Sequence, residues 1–400
     1  MRRRRGEPAI ALLFAAVTLV AGGGALAFFL TISPVHTNPA GVPSATAGAP
    51  DNRYAAAIED SRRAVRDLLV GENLPGLSIA VARDDEIVWA EGFGWADIDR
   101  HTPVTPDTRF RLGSVSKTLT AAGAALLHDQ GRLDLDAPVQ RYVPSYPQKQ
   151  WTVTTRHLLG DVAGVHRIRG DNNDLLPGRH CTNLQEALSI VASEPLLFRP
   201  GTRYRFAFYG WLLVTAAVEG AAMQPFATFM AREVFVPLGM TRTALEGAAE
   251  LRDTTSFYGP RVMLNTALGL NAATGADYSC YFGAGAFLST PSDLVRLGSA
   301  MIEPGLLRAE TLATFTSPLR LESGESTGFA LGWRVEEAAL AGVSRRILIH
   351  RATPVGGTVT LMLVPDLRLV VAAVSNASHA KGVAPLGLTV AAAFARGATP

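Results

Sequence analysis

Lysine is nearly absent from this chain. It stands only at positions 117, 149 and 381, against 34 arginines. Generic positive charge is therefore carried by guanidinium groups, which stay protonated and cannot shuttle a proton. A lysine amine can, once it is desolvated. Cysteine is almost as scarce, at two in 400 residues, and the eight histidines are scattered. No Cys–His spacing fits a zinc site, so neither a metal nor another cofactor is expected. Lopsided charge is missing too. The net charge is +2, and four of the positive charges are Arg2 to Arg5 at the N-terminus. The remainder is slightly acidic, which argues against a nucleic-acid partner.

What is present is ample apolar material: 48% hydrophobic against 18% charged residues. This composition suits a globular protein with a large core, and the length allows one to three domains. Residues 1–8 form a basic tail. An uncharged run, AIALLFAAVTLVAGGGALAFFLTIS, follows over residues 9–33. As a helix it would exceed the ~30 Å hydrocarbon thickness of a bilayer. It reads as an uncleaved single-pass anchor with the arginines cytoplasmic and the rest outside. The alternative is a secretory signal cut near Ala25-Leu26-Ala27. Residues 34–52 are rich in Pro, Ala, Gly, Ser and Thr and read as a flexible tether. In an exported domain, Cys181 and Cys280 either form one disulfide or remain two buried thiols.

From residue 53 to 400 the pattern is that of one α/β (α+β) domain. A helix over Ala55 to Val70 precedes a hairpin, Leu77–Ala82 and Ile87–Gly92, turning at Arg83-Asp-Asp-Glu86. Helical patterns fill the middle: Thr154–Leu159, Asn183–Ala192, Gly210–Glu219 and Phe226–Val234. Strand patterns return at Ala330–Val335, Arg346–His350, Thr358–Val364 and Leu369–Val374, before an apolar helix over Pro385–Phe394. The expected architecture is an antiparallel sheet flanked by helices, built from about 53–115 and 325–400. A mostly helical lobe, about 125–280, is inserted. Active sites favour the crevice between two such lobes.

One of the three lysines opens a helix. Ser114-Val115-Ser116-Lys117 leads into TLTAAGAALL, which is apolar on all faces and so reads as buried. The spacing puts the Lys117 amine and the Ser114 hydroxyl on one helical face. The helix N-terminus favours developing negative charge there.

These residues resemble the serine beta-lactamase and penicillin-binding-protein superfamily, in its class C beta-lactamase-like branch of esterases, DD-peptidases and the mitochondrial beta-lactamase-like protease. The resemblance covers about residues 55 to 395. It is carried by PGLSIAVARDDEIVWAEGFGWAD (75–97), FRLGSVSKTLTAAGAALL (110–127), LDLDAPVQRYVPSYP (133–147), PLLFRPGTRYRF (195–206) and GAFLSTPSDLVRLG (285–298). It implies a beta-lactamase/transpeptidase-like fold. It also implies that Ser114 is acylated, that Lys117 takes or relays its proton, and that the Ser114 backbone N–H belongs to the oxyanion hole.

The other family motifs are altered. Where relatives carry Tyr-x-Asn or Tyr-Ser-Thr after Pro-Gly-Thr, this chain has Phe206-Ala207-Phe208. Phe has no proton to move. Tyr204 and Tyr209 flank the position as possible substitutes. Where relatives carry Lys-Thr-Gly or His-Thr-Gly, the chain reads His350-Arg351-Ala352-Thr353. His350 is functional or a structural edge residue. Arg351 recognises a carboxylate or is an edge-strand charge. Thr353 offers the second oxyanion N–H by position. Gly160-Asp161-Val162-Ala163-Gly164 stands where relatives read Ser-His-x-Ser-Gly, and Tyr281 where the mitochondrial-like branch has Lys.

Two functions fit. The first is a serine hydrolase acting through Ser114 and Lys117 on a small-molecule or peptide-like acyl substrate, ester or amide. Phe206 and Phe208 would aid desolvation of the amine. The second is a catalytically silent relative that binds a ligand or partner in a greasier pocket. A filament-forming role has no specific support in the sequence.

Overall fold

The computed structural model describes residues 34–166, 179–248, 251–262 and 264–396. The expected basic tail at 1–8 and anchor at 9–33 lie outside them. Among the described residues no single helix is long and apolar enough to cross a membrane.

The main sheet takes strands from both ends of the chain. They are β1 (Ser44–Thr46), β2 (Gly76–Arg83) and β3 (Glu86–Asp97), with β4 (Thr102–Pro103) beside β3. Two short strands, β5 (Phe110–Arg111) and β6 (Ala244–Leu245), pair instead with β9 (Phe287–Ser289) at the foot of the helical lobe. A separate hairpin joins β7 (Tyr258–Val262) to β8 (Asn265–Ala272). The late strands are β10 (Arg334–Leu340), β11 (Val343–Ala352), β12 (Thr358–Val364) and β13 (Leu369–Ser375). The sheet runs β1-β3-β2-β13-β12-β11-β10, every pair antiparallel. Its closure is the β13–β2 pair, where Ala373 faces Ile79 across almost the whole sequence.

Alternation explains how the sheet is packed. Leu77, Ile79 and Val81 point to one face, against helices Ala55–Gly71 and Val383–Arg396. Ala80 and Ala82 point to the other, where helix Pro291–Ala300 and the lobe lie. Met362 and Val371 share the first core, Leu361 and Val370 the second. Burial on both faces is why β12 and β13 carry no charged residue, and why β13 reads as an apolar run from Leu369 to Val374. The helix Ser116–Asp129 is buried from Ser116 to Leu127, as its all-round apolarity demands.

Two expectations are corrected. Residues 34–52 are not a loose tether, since β1 extends the sheet at β3, with Ala45 opposite Gly92. Nearby, the buried His36 donates from Nε2 to the Pro75 carbonyl at 2.9 Å, and the Val35 N–H reaches Asn73 at 2.7 Å. Edge pairing uses backbone groups alone, so a segment without periodicity can still dock. The strand expected at Ala330–Val335 begins only at Arg334. Ala330, Leu331 and Trp333 are apolar because they are buried in the lobe core. Gly332 has φ +94°, and a Cβ there would meet that of Ala121 at 2.8 Å.

Candidate active site

Ser114 sits in a 3₁₀ turn, Gly113–Val115, that runs straight into the buried helix. Gly113 has φ +52° and lies against Pro354, so this turn abuts the chain just beyond β11. The Leu112 N–H donates to the Phe287 carbonyl at 3.0 Å, and the Phe287 N–H to Ser116 Oγ at 3.2 Å. These bonds fix the turn between sheet and lobe. One helical turn on, Lys117 is almost wholly enclosed, at 1% exposed. Its Nζ lies 3.7 Å from the centre of the Phe206 ring, 5.4 Å from that of Trp211 and 5.8 Å from that of Phe208. The amine is thus boxed by aromatic faces, an arrangement that attracts a cation.

Ser114 and Lys117 open onto a cavity of about 350 Å³. Of the residues singled out in the sequence, Tyr204, Phe206, His350 and Arg351 line it with them. Phe208, Tyr209 and Thr353 do not. Phe208 is buried edge-on to Tyr281 at 4.6 Å between ring centres, and to Tyr209 at 5.5 Å. Tyr209 is itself buried at the start of helix Gly210–Ala222. Of the two possible substitutes, only Tyr204 reaches the cavity. It stacks on Phe329, with centres 4.4 Å apart, and burial raises its phenol well above the usual value. Thr353 is exposed beyond the end of β11.

His350 sits on β11 with Nδ1 3.0 Å from the Gly332 carbonyl. A carbonyl only accepts, so Nδ1 carries the hydrogen and Nε2 is left as an acceptor in the neutral ring. Burial, opposed by that hydrogen bond and reinforced by the Lys117 charge, lowers its pKa to about 4. His350 is therefore neutral at physiological pH. Arg351 projects beside it and is fastened to Glu336 on β10 by two 3.1 Å bonds. Glu336 also holds Arg334 at 2.7 Å. The rim carries two guanidiniums against one carboxylate.

Two tryptophans of the cavity escaped the sequence reading, and a third residue was noted only as a motif departure. Trp211 and Trp333 form part of the apolar wall. The buried indole N–H of Trp333 has no hydrogen-bond partner among the described residues. The third is Asp161, in the segment where relatives carry His. It takes a left-handed φ of +54°. Its Oδ1 accepts from the Ala207 N–H and from Trp211 Nε1, both at 3.2 Å. Burial raises its carboxyl pKa, against the pull of the Lys117 charge and of these two hydrogen bonds. The signal available in the sequence was an acidic residue at a motif position, but its partners lie 46 and 50 residues away.

Cys181 and Cys280 form a disulfide. It fastens the segment before helix Leu184–Ala192 to the loop carrying Tyr278, whose hydroxyl accepts from the Val355 N–H at 3.0 Å. No group of His, Cys, Asp and Glu among the described residues is arranged to hold a metal ion.

The Beta-lactamase family model matches residues 61–395. The chain belongs to that family. It is 26% identical to the human "Serine beta-lactamase-like protein LACTB, mitochondrial" over 403 residues, spanning 78% of this chain and 73% of that protein. It is 26% identical to "Penicillin-binding protein 4*" of Bacillus subtilis (strain 168), spanning 68% of this chain and 62% of that one. The fold is shared with the D-amino acid amidase from Ochrobactrum anthropi SV3, at TM-score 0.72 and 20% identity, covering 86% of this chain and 100% of that one. It is shared too with an octameric penicillin-binding protein homologue from Pyrococcus abyssi, at TM-score 0.69 and 22% identity, covering 85% and 77%.

Proposed function

We propose that this protein is a serine hydrolase that forms an acyl-enzyme on Ser114, with Lys117 as base, from an ester or amide. The observation that carries this reading is that the chain's one fully enclosed lysine faces a cavity together with the serine one helical turn before it. In the reaction, the Ser114 O–H bond breaks and its proton passes to Lys117 Nζ. The Oγ electron pair forms the bond to the acyl carbon. The ammonium of Lys117 then returns the proton to the leaving group, and water later releases the acyl group by the reverse route. The Ser114 N–H at the helix start would stabilise the oxyanion. Neutral His350 offers an acceptor to the substrate, and the cavity walls favour an apolar acyl group.

With Phe206 rather than a tyrosine at the motif position, the leaving group depends on the Lys117 ammonium for its proton. General acid help to a leaving group is worth about 10²–10⁴-fold, so activated esters should react faster than amides. Residues 9–33 would anchor the domain to a membrane, with the hydrolase outside the cytoplasm.

A catalytically silent ligand-binding role is favoured by one observation, the Phe206 ring packed directly on the amine. Labelling with a fluorophosphonate decides between the two. The expected result is a covalent adduct on Ser114 in the wild type and none in Ser114→Ala. Absence of labelling in a folded wild type would leave only the binding role.

A further inference from the structure

Phe206 stands where the resembled motif has a tyrosine, and among the described residues the cavity holds one carboxyl group, that of Asp161. Asp161 lines the same cavity as Lys117. Trp211 touches both side chains: its indole N–H holds Asp161 Oδ1 at 3.2 Å, while its ring lies 5.4 Å from Lys117 Nζ. The Ala207 N–H, from the centre of the altered Phe206-Ala207-Phe208 motif, holds the same oxygen at 3.2 Å. The carboxylate therefore has a fixed place, set by two donors from the next structural layer. Its backbone is in a left-handed conformation that asparagine and aspartate tolerate better than most residues. The neighbouring Arg205 N–H locks it by donating to the Asp161 carbonyl at 2.8 Å.

We propose that Asp161 is the positioning residue of this site, a fixed carboxylate that holds Lys117 and stabilises the ammonium formed when Lys117 takes the Ser114 proton. This rests on the hydrolase reading above. The role is that of the third member of a Ser-His-Asp triad, transposed to a Ser-Lys pair: it orients the base and answers its charge without itself losing or gaining a proton. Burial raises the Asp161 carboxyl, and the Lys117 charge works against that rise. No phenol is required, which accounts for a site that keeps Ser114 and Lys117 while Phe206 replaces tyrosine.

The scarcity of lysine makes the test direct. Protein labelled with ¹³C at the lysine ε-carbon gives signals from three lysines only. In Asp161→Asn, which keeps an oxygen for both donors and removes the charge, the Lys117 titration midpoint should fall by about one pH unit or more. Lys149 and Lys381 should not move. The fluorophosphonate labelling rate at Ser114 should follow, with its pH midpoint shifted down and its plateau reduced at least about tenfold. Asp161→Glu, which restores the charge, should recover part of both.

A Lys117 midpoint that stays in place in folded Asp161→Asn overturns the proposal. So does a midpoint that moves while the labelling plateau is unchanged. If Asp161→Asn does not fold, Trp211→Phe removes the indole donor and keeps the ring, and an unmoved Lys117 midpoint there overturns it equally. A wild type that never labels at Ser114 would fail the hydrolase reading and the rate part of this one, whereas the Lys117 titration reads the influence of the Asp161 charge independently.

Discussion

At the residue scale, the site turns on what a benzyl ring does where the resembled motif has a phenol. Phe206 keeps the aromatic face over Lys117 and loses only the hydroxyl. Restoring it is therefore a small steric change with a large chemical consequence. In Phe206→Tyr the half-buried ring gains a proton donor at the cavity wall. The expected outcome is a rise in kcat/KM for an amide of at least about tenfold, the low end of what general acid help provides. An activated ester, whose leaving group needs no proton, should gain less than about threefold. Steady-state kinetics on a matched ester and amide check this. An equal gain on both would mean that the hydroxyl changes binding rather than proton transfer.

At the scale of elements, local pattern was legible and long-range company was not. The hairpin of β2 and β3, the buried Ser116–Asp129 helix and the runs of β12 and β13 all announce themselves by periodicity or its absence. So does the Ser114–Lys117 pair, because its spacing and its helix lie in one short stretch. Asp161 was visible only as a departure, since the groups that position it arrive from Ala207 and Trp211. Thr353 was placed by motif position; it is exposed just beyond β11, and Pro354 next to it packs on Gly113.

The segment 34–52 shows the same limit. Its composition is that of a linker, but it docks through main-chain groups and one buried ring. His36 tests whether that docking is structural. Removing its ring in His36→Ala leaves the Pro75 carbonyl without this bond in a buried setting. The expected cost is about 1–3 kcal/mol, read as a lower urea midpoint. If the midpoint does not move, the strap contributes nothing to the stability of the sheet.

For the molecule as a whole, the enclosed histidines set a sensitivity to acid. His36, His157 and His350 all have pKa values below 6.5 when folded, burial being the largest cause in each. Unfolding frees them to bind protons at the ordinary value of about 6.5. Above that pH neither state holds the proton and full stability is present. As pH falls below about 6.5 the unfolded chain takes up protons that the folded one refuses, so stability declines. For His350 the decline continues until its folded pKa of about 4 is reached. Buried carboxyls raised by burial, among them Glu72, Asp161 and Asp293, act in the opposite sense over part of this range. A single curve therefore mixes both, and a difference between proteins isolates one group. His350→Asn keeps a donor for the Gly332 carbonyl and cannot titrate. Between pH 7 and pH 4 the wild type should lose more unfolding free energy than this variant, by on the order of 3 kcal/mol. Parallel urea titrations across that range read the difference directly. Parallel losses would mean that His350 protonates as readily in the folded protein as in the unfolded chain, and that the cavity behind Ser114 is wetter than its walls imply.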